Sequence, residues 1–388
     1  MQTAQRFQNI RESVIREMTR LAIQHDAINL SQGFPDFDPP AEVLQAATDA
    51  IQQGLNQYTI TWGYPPLRQK LADLYRQRLG WPVLPDEHVV ITCGVTEALA
   101  AAMLAVLDPG DEIIILDPAH ETFRPAAQIA GAQPVSVVLP APDFRLDRQR
   151  LENAVTSRTK ALILNTPHNP SGRVFDEKEI AGVIDVVTRH DLILITDEIY
   201  DQILYDGREH ISPGSLPPLR ERTITIGGMG KTYAITGWRL GYAIAPTSLA
   251  RAVKPAHDFL TVCAATPLQA AALAALNLPP HFYQKQRQEY HHRRALMSEI
   301  LSNLDFNFSQ PQGAYYILAD YRQLSIPQAR WNADAFARWM TTEVGVAVVP
   351  GPNFYADPAQ GEGLIRFAYP KKIETLRLAA QRMARLKG

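Results

Sequence analysis

Short apolar runs rich in β-branched residues recur through the middle of the chain and predict the strands of a sheet. Helical patterns, such as those at 96–107 and 176–190, separate these runs. Several runs are apolar almost throughout, which is typical of parallel strands that are covered on both faces. The alternation predicts an α/β domain. The seven predicted strands are 89–91, 112–116, 135–139, 161–164, 192–196, 223–226 and 240–245.

The pattern changes after about residue 275, where charged amphipathic segments replace the buried strands. Helical patterns occur at 281–304, 332–343 and 371–386, and a strand pattern occurs at 313–318. These segments predict a smaller α+β unit. We therefore expect a large domain formed by residues 31–274, and a small domain formed by residues 1–30 together with 275–388.

Length and charge narrow the classes of protein that the chain can belong to. Its 388 residues exceed the roughly 250–300 at which a single core stops growing, which agrees with two domains. The net charge of −2 offers no electrostatic footprint for nucleic acid or an anionic membrane. No apolar stretch reaches the ~20 residues that span a bilayer, and the start of the chain lacks the apolar core of a secretory signal. These observations predict a cytoplasmic protein that binds neither nucleic acid nor membrane.

Metal chemistry is not predicted either. The only two cysteines, Cys93 and Cys263, offer neither a zinc-ligand spacing nor a disulfide framework, and we expect buried thiols in a reducing compartment. The cluster at 291–294, His-His-Arg-Arg, is predicted to be a solvated helix face, because adjacent histidines point to different sides of a helix.

Two nucleotide-binding motifs fail when they are compared residue by residue. The tripeptide Gly230-Lys231-Thr232 resembles the end of a phosphate-binding P-loop, but that motif requires glycine where the chain has Thr225. No G-x-G-x-x-G follows the first strand of the sheet, so a Rossmann dinucleotide site is not predicted. The turn there does place Gly94 and free backbone amides at the start of a helix, which can hold an anion.

An acid, an amine and a guanidinium follow the ends of the predicted strands. Asp197 ends one buried strand, Lys231 follows another, and Arg239 comes shortly after. The carboxyl ends of parallel strands meet at one sheet edge, so these groups can share a crevice. The set is typical of a pyridoxal 5′-phosphate site: the lysine condenses with the aldehyde, the carboxylate keeps the pyridine nitrogen protonated, and the arginine holds the phosphate. Taken singly, each residue also fits a strand-end cap or a surface position.

Several longer segments resemble class I aminotransferases of pyridoxal-phosphate fold type I. They are Asn-Leu-Ser-Gln-Gly-Phe-Pro-Asp-Phe at 29–37, the segment 58–68, Asn-Thr-Pro-His-Asn-Pro-Ser-Gly at 165–172, Thr-Asp-Glu-Ile-Tyr-Asp at 196–201, the segment 230–242 and Leu-Ile-Arg-Phe at 364–367. The chain is most similar to the branch of glutamine transaminase K, kynurenine aminotransferase and methionine aminotransferase. The resemblance implies a large domain with a mainly parallel seven-stranded sheet, a smaller α+β domain, and a homodimer.

The resemblance also implies roles for individual residues. Lys231 would bind the cofactor aldehyde and then carry the proton of the substrate α-carbon. Asp197 would pair with the pyridinium nitrogen, and Tyr200 would donate a hydrogen bond to the ring 3-oxygen. Gly33, Asn169 and Arg366 would bind substrate, with Arg366 clamping the α-carboxylate. The other implied cofactor-binding residues are Gly94, Val95, Thr96, His120, Asn169, Arg239 and, from the neighbouring subunit, Tyr58.

The chain departs from the family at positions that affect the cofactor and the substrate. His120 stands where an aromatic residue stacks on the cofactor ring, and Gly228 replaces a phosphate-binding serine. Residues Ile15, Val262 and Cys263 stand at pocket positions that are aromatic in the kynurenine branch, and they predict an aliphatic wall. Such a wall favours uncharged side chains by apolar burial. Because this discriminates by only ~1–3 kcal/mol per methylene, we expect a broad substrate range.

The predicted function is a pyridoxal 5′-phosphate-dependent aminotransferase that works by a ping-pong mechanism. Its amino donors would be uncharged amino acids, such as methionine, glutamine, aromatic or aliphatic residues, and its acceptors 2-oxo acids. A carbon–sulfur β-lyase of the same fold is the alternative, because one carbanion serves both reactions. A ligand-sensing regulator is disfavoured, because the chain has no basic patch for DNA.

Overall fold

The computed structural model describes residues 4, 7, 10 and 12–387, and predictions that involve the other positions of the chain lie outside the described residues. The α-helices are α1 (Val14–Gln24), α2 (Ala41–Gln52), α3 (Pro65–Leu79), α4 (Pro85–His88), α5 (Val95–Val106), α6 (Phe123–Ile129), α7 (Arg148–Asn153), α8 (Glu177–Arg189), α9 (Thr247–Thr261), α10 (Thr266–Leu276), α11 (Pro280–Asn303), α12 (Ala333–Trp339) and α13 (Ile373–Met383). The strands are β1 (Ile28–Asn29), β2 (Val89–Thr92), β3 (Glu112–Asp117), β4 (Gln133–Val138), β5 (Thr159–Asn165), β6 (Ile193–Asp197), β7 (Thr223–Gly228), β8 (Gly241–Ile244), β9 (Tyr316–Asp320), β10 (Val346–Ala347), β11 (Val349–Pro350) and β12 (Leu364–Ala368).

A seven-stranded sheet in the order β2-β8-β7-β6-β5-β3-β4 forms the centre of the molecule. Neighbouring strands from β7 to β4 are parallel, whereas β8 runs antiparallel to both β7 and β2. All seven strands predicted from the apolar runs are confirmed. Helices α5 and α8 are confirmed as well, and α8 begins with a capping box in which Asp176 accepts from the Glu179 amide at 2.9 Å.

The segments after residue 275 form smaller sheets and helices. Strands β11, β12 and β9 make an antiparallel sheet in that order, and β1 pairs in parallel with β10. The strand predicted at 313–318 begins later, at Tyr316, because Ala314 has a positive φ of 56° that interrupts extended backbone. The helix predicted at 332–343 divides into α12 and a π-helical turn at Met340–Val344.

One hydrophobic core joins the N-terminal segment to the C-terminal part of the chain. Met18 of α1 and Leu30 pack with residues from α11, α12, α13, β9 and β12. A separate core lies between α5, α9 and one face of the seven-stranded sheet. The chain therefore returns to its own beginning after building the large sheet, and this brings residues 31–33 close to β12.

Two expectations about side-chain burial are wrong. Arg293 and Arg294 of α11 are buried, since Arg293 donates to the Lys371 carbonyl and Arg294 binds Asp206. Only the histidines of that cluster face solvent. Both cysteines are free and half-buried rather than buried.

The described part of the chain contains no helix that is long and apolar enough to cross a membrane. Within the same residues, no group of three or more histidine, cysteine or acidic side chains is arranged to hold a metal ion.

Candidate active site

The carboxyl ends of β5, β6 and β7 bring the predicted catalytic residues to one edge of the sheet. Asn165 at the end of β5 lies opposite Asp197 at the end of β6. The Asn165 side chain donates to the Asp197 carbonyl at 2.9 Å and accepts from the Asn169 amide at 2.7 Å. This amide side chain therefore ties the segment that carries Asn169 to the strand that carries Asp197.

Lys231 lies in the turn after β7 and points to the N-terminal segment. Its Nζ donates to the Gly33 carbonyl at 2.9 Å. Burial lowers the pKa of Lys231 to about 8, with further lowering from the cations Arg366 and Arg239. About a tenth of this amine is therefore uncharged at pH 7, far more than of an ordinary lysine, and the uncharged form is the nucleophile.

Asp197 is a buried acid at the end of β6. It is 6% exposed, and its carboxylate accepts from the Ile199 amide at 3.2 Å. No ion pair to it forms among residues 12–387. Burial raises the pKa of Asp197 to about 7. A bound cation, such as a protonated pyridine nitrogen, would satisfy this carboxylate and keep it ionised.

Two phenols stand beside Asp197 in a cluster of aromatic rings. The hydroxyls of Tyr200 and Tyr316 are 2.9 Å apart, and both side chains are buried. Burial raises the pKa of Tyr200 well above its ordinary value, so its hydroxyl stays protonated and can donate a hydrogen bond. The ring of Tyr315 packs edge-on against Tyr200, with centroids 5.2 Å apart.

Arg366, in the middle of β12, is buried at the same crevice. Its Nη1 donates to Asn169 Oδ1 at 2.9 Å, and its Nη2 donates to the Ser31 carbonyl at 2.6 Å. The rings of Tyr316 and Phe354 lie 4.4 and 4.9 Å from its guanidinium carbon. Its Nε is buried without a hydrogen-bond partner in the described structure. A planar, fixed guanidinium with a spare donor is suited to a carboxylate.

His120, which stands where the family has an aromatic ring, is held in its uncharged form. Burial, together with the nearby cations Arg366 and Lys231, lowers the pKa of His120 to about 3. Its Nδ1 lies 2.7 Å from the Thr122 hydroxyl. A neutral imidazole can stack on a pyridinium ring without electrostatic repulsion.

The start of α5 forms an open cradle. Gly94 caps this helix with φ 81° and ψ 169°, and no side chain caps the helix. A Cβ on Gly94 would lie 2.6 Å from Arg239 Nη2, so the guanidinium lies directly against the glycine backbone. Thr96 and Arg239 are exposed. Free amides of the first turn beside an arginine fit a phosphate group, as a pyridoxal phosphate site requires.

The missing serine at position 228 has a packing explanation. A Cβ on Gly228 would lie 2.9 Å from Val95 Cγ2 and 3.3 Å from Ile199 Cδ1. A serine there would therefore require the side chains of Val95 and Ile199 to shift.

Some predicted site residues are not brought to this crevice within one chain. Tyr58 is 81% exposed and lies beside Cys263. Of the predicted aliphatic wall, Ile15 is buried in the core under the large sheet, whereas Val262 is 47% exposed at the end of α9. A single chain therefore does not assemble that wall from these three residues.

The structure adds three residues that the sequence reasoning did not assign to the site. Ser31 binds Arg366 through its carbonyl, Asn165 braces Asn169, and Tyr316 binds Tyr200. Ser31 and Asn165 lie inside the family-like segments 29–37 and 165–172, which was a usable signal. Tyr316 lies in the predicted strand 313–318, where nothing distinguished its ring from the core.

Comparisons with known proteins agree with this geometry. The family model of aminotransferase class I and II matches residues 25–383. Methionine aminotransferase of Escherichia coli (strain K12) is 35% identical over 96% of both chains. Kynurenine–oxoglutarate transaminase 1 of Mus musculus is 35% identical over 99% of this chain and 98% of its own. The solved N-succinyldiaminopimelate aminotransferase of Mycobacterium tuberculosis superimposes with a TM-score of 0.94 at 36% identity, covering 99% of this chain and 100% of its own.

Proposed function

Because this chain belongs to the class I and II aminotransferases and is a pyridoxal 5′-phosphate-dependent transaminase, we propose that it acts on uncharged amino acids through the crevice between Lys231 and Arg366. One observation carries the proposal. Lys231 Nζ binds the Gly33 carbonyl at 2.9 Å, and Arg366 Nη2 binds the Ser31 carbonyl at 2.6 Å. The amine and the carboxylate-binding group are thus attached two residues apart on one backbone segment. An α-amino acid spans such a short separation.

The cofactor would be held by residues whose geometry fits its three chemical groups. When bound, pyridoxal phosphate supplies an electron sink that stabilises negative charge at the substrate α-carbon. Asp197 would keep the pyridine nitrogen protonated, and Tyr200 and Asn169 would donate to the 3-oxygen. His120 would lie against the ring. The phosphate would occupy the cradle at the start of α5, with Gly94, Val95, Thr96 and Arg239 as its binding residues.

The same chain supplies the proton transfer and the substrate orientation. Lys231, once free, takes the proton from the α-carbon with its Nζ, since the lowered pKa keeps the amine able to accept it. Arg366 holds the α-carboxylate by displacing its present carbonyl partner, and so fixes which bond of the α-carbon faces Lys231. The crevice is lined by buried tyrosine rings, which favour methionine, glutamine, aromatic or aliphatic side chains over acidic ones.

We also propose that the active form is a cytoplasmic homodimer. The segments before α3 and around the end of α9 are joined by hydrogen bonds from His257 to the Thr61 carbonyl and from Thr266 to the Gln57 carbonyl. Together they expose an apolar patch that a second copy of the chain would cover. Its residues are Tyr58, Ile60, Phe259, Leu260 and Val262, of which Phe259 is 91% exposed.

In this dimer, Tyr58 would reach the cofactor phosphate of the partner, and Val262 and Cys263 would face the partner's substrate. The two unpaired cysteines agree with a reducing compartment.

We divide the chain into a large domain, 31–274, and a small domain, 1–30 with 275–388. This division places the amine and the carboxylate-binding group of the site in different domains. Lys231 belongs to the large domain, and Arg366 belongs to the small one. Substrate that binds both would draw the domains together and exclude water from the reacting carbon.

The test is the visible absorbance of the purified protein with pyridoxal phosphate, before and after separate additions of methionine, glutamine, phenylalanine, kynurenine and aspartate. We expect loss of the band with the uncharged amino acids and much less with aspartate, and no conversion in Lys231→Ala. Conversion by aspartate alone would overturn the substrate class. Release of pyruvate and ammonia from cystathionine without a 2-oxo acid would favour the β-lyase alternative.

A further inference from the structure

Tyr316 occupies a position between the two halves of the proposed site. Its hydroxyl is 2.9 Å from the Tyr200 hydroxyl, and its ring lies 4.4 Å from the guanidinium carbon of Arg366. A Cβ on Gly33 would lie only 2.0 Å from the Tyr316 oxygen, so the backbone at Gly33 covers this hydroxyl directly. One buried side chain therefore touches the cofactor side and the carboxylate side of the crevice.

A count of hydrogens determines how the two phenols can be arranged. Each phenol has one hydrogen to donate. If Tyr200 donates its hydrogen to the cofactor 3-oxygen, the hydrogen in the bond between the two hydroxyls must come from Tyr316. The Tyr200 hydroxyl is 2.9 Å from the Tyr316 hydroxyl, and the hydroxyl of Tyr315 is its other phenolic neighbour. Tyr315 cannot supply the missing hydrogen, because its hydroxyl donates to the Gly33 carbonyl at 2.9 Å.

The charged and titratable groups around Tyr316 agree with a neutral donor. Arg366 lies against its ring, Tyr200 and Tyr315 are its phenolic neighbours, and Asp197 is the nearby acid. Burial raises the pKa of Tyr316 above its ordinary value, so the hydroxyl keeps its hydrogen across the physiological range.

We propose that Tyr316 is a positioning residue that donates to Tyr200 and so directs the hydrogen of Tyr200 to the 3-oxygen of the cofactor. The proposal rests on the proposed function, since it assumes cofactor bound at Asp197 and Lys231. A hydroxyl that accepts a hydrogen bond is a stronger donor in return, because bonds in a chain polarise one another. Tyr316 therefore stabilises the negatively charged 3-oxygen without touching the cofactor.

The test is the pH titration of the bound cofactor's absorbance in the wild type and in Tyr316→Phe. We expect the midpoint to rise by about half a pH unit, a threefold change in the ionisation constant, because the deprotonated form loses support. The phenyl ring still packs on Arg366, so we expect kcat for methionine to fall while KM stays within about twofold. The matched control is Tyr290→Phe, which removes a buried hydroxyl that has no partner in the described structure, and its midpoint should not move.

A double-mutant cycle distinguishes action through Tyr200 from a general effect on packing. In a Tyr200→Phe background, Tyr316→Phe should cause no further shift of the midpoint. An equal shift in both backgrounds, or an unshifted midpoint in Tyr316→Phe, would overturn the inference and leave the transaminase assignment intact. Absence of a cofactor band from the wild-type protein would instead overturn the proposed site itself.

Discussion

Replacement of Gly94 by alanine tests the phosphate cradle more directly than removal of any charged residue. The new methyl would lie 2.6 Å from Arg239 Nη2 and 3.0 Å from its guanidinium carbon. The far end of an arginine is flexible, so we expect the guanidinium to move away rather than the helix. The substitution therefore displaces Arg239 from the cradle without changing the charge of the protein.

The expected magnitude has two separate parts. The backbone at Gly94, with φ 81° and ψ 169°, is a region almost restricted to glycine, and alanine there costs about 1–3 kcal/mol of folding free energy. That strain acts with or without cofactor. Loss of hydrogen bonds between Arg239 and a phosphate costs about 1.5–3 kcal/mol of binding free energy. We therefore expect the cofactor dissociation constant to rise by about 10- to 100-fold.

The assay is equilibrium binding of pyridoxal phosphate to the cofactor-free enzyme, followed by quenching of tryptophan fluorescence, together with urea unfolding. The matched control is Gly54→Ala. Gly54 has a similar φ of 86°, but no atom lies within 4 Å of its added Cβ. We expect this control to lose stability and keep its affinity for cofactor. A Gly94→Ala enzyme that binds cofactor as tightly as Gly54→Ala would refute the assignment of the cradle to phosphate.

Three further predictions concern substrate binding, cofactor capture and assembly. Arg366→Lys should raise KM for methionine by at least about tenfold in steady-state assays, because a point charge cannot bind a carboxylate bidentately; an unchanged KM would contradict the clamp. The rate at which cofactor-free enzyme captures pyridoxal phosphate should rise with pH and level off above a midpoint near 8, because only uncharged Lys231 attacks the aldehyde and its pKa is about 8; a flat stopped-flow profile would refute this. Phe259→Asp should convert the dimer to monomers in sedimentation velocity, whereas Leu378→Asp, at a residue 44% exposed outside the patch, should not.

The large sheet could be predicted from sequence because its strands are buried on both faces. Such strands are continuous apolar runs, and the chemistry of Asp197 and Lys231 follows at their ends. The burial of Arg293 and Arg294 could not be predicted in this way. Their long side chains are charged at the tip and apolar along the stem, so they can be buried or exposed. They are buried here because Arg293 finds a carbonyl partner and Arg294 finds Asp206, and both partners are distant in sequence.

The contacts that Ser31 and Tyr316 make could not be predicted, for a different reason. Ser31 contributes a backbone carbonyl, which every residue possesses, and its importance comes from Arg366 lying against it. Tyr316 has the sequence pattern of a core tyrosine, and a role for its hydroxyl is indicated only by the 2.9 Å contact with the Tyr200 hydroxyl. The local sequence pattern shows which residues have side chains suited to catalysis or binding. Contacts between distant segments determine which of these residues belong to the site.

The attachment of Arg366 to Ser31 has a consequence for how the enzyme matures. These residues are 335 positions apart in the chain, and β1 is held by β10, which is also made late in synthesis. The large sheet can form while the ribosome is still translating, but the segment that holds Lys231 and Arg366 lacks its partners in β10 and β12 until these strands have emerged. We expect the substrate-binding half of the crevice to fold only after translation is nearly complete, since contacts of high contact order form late.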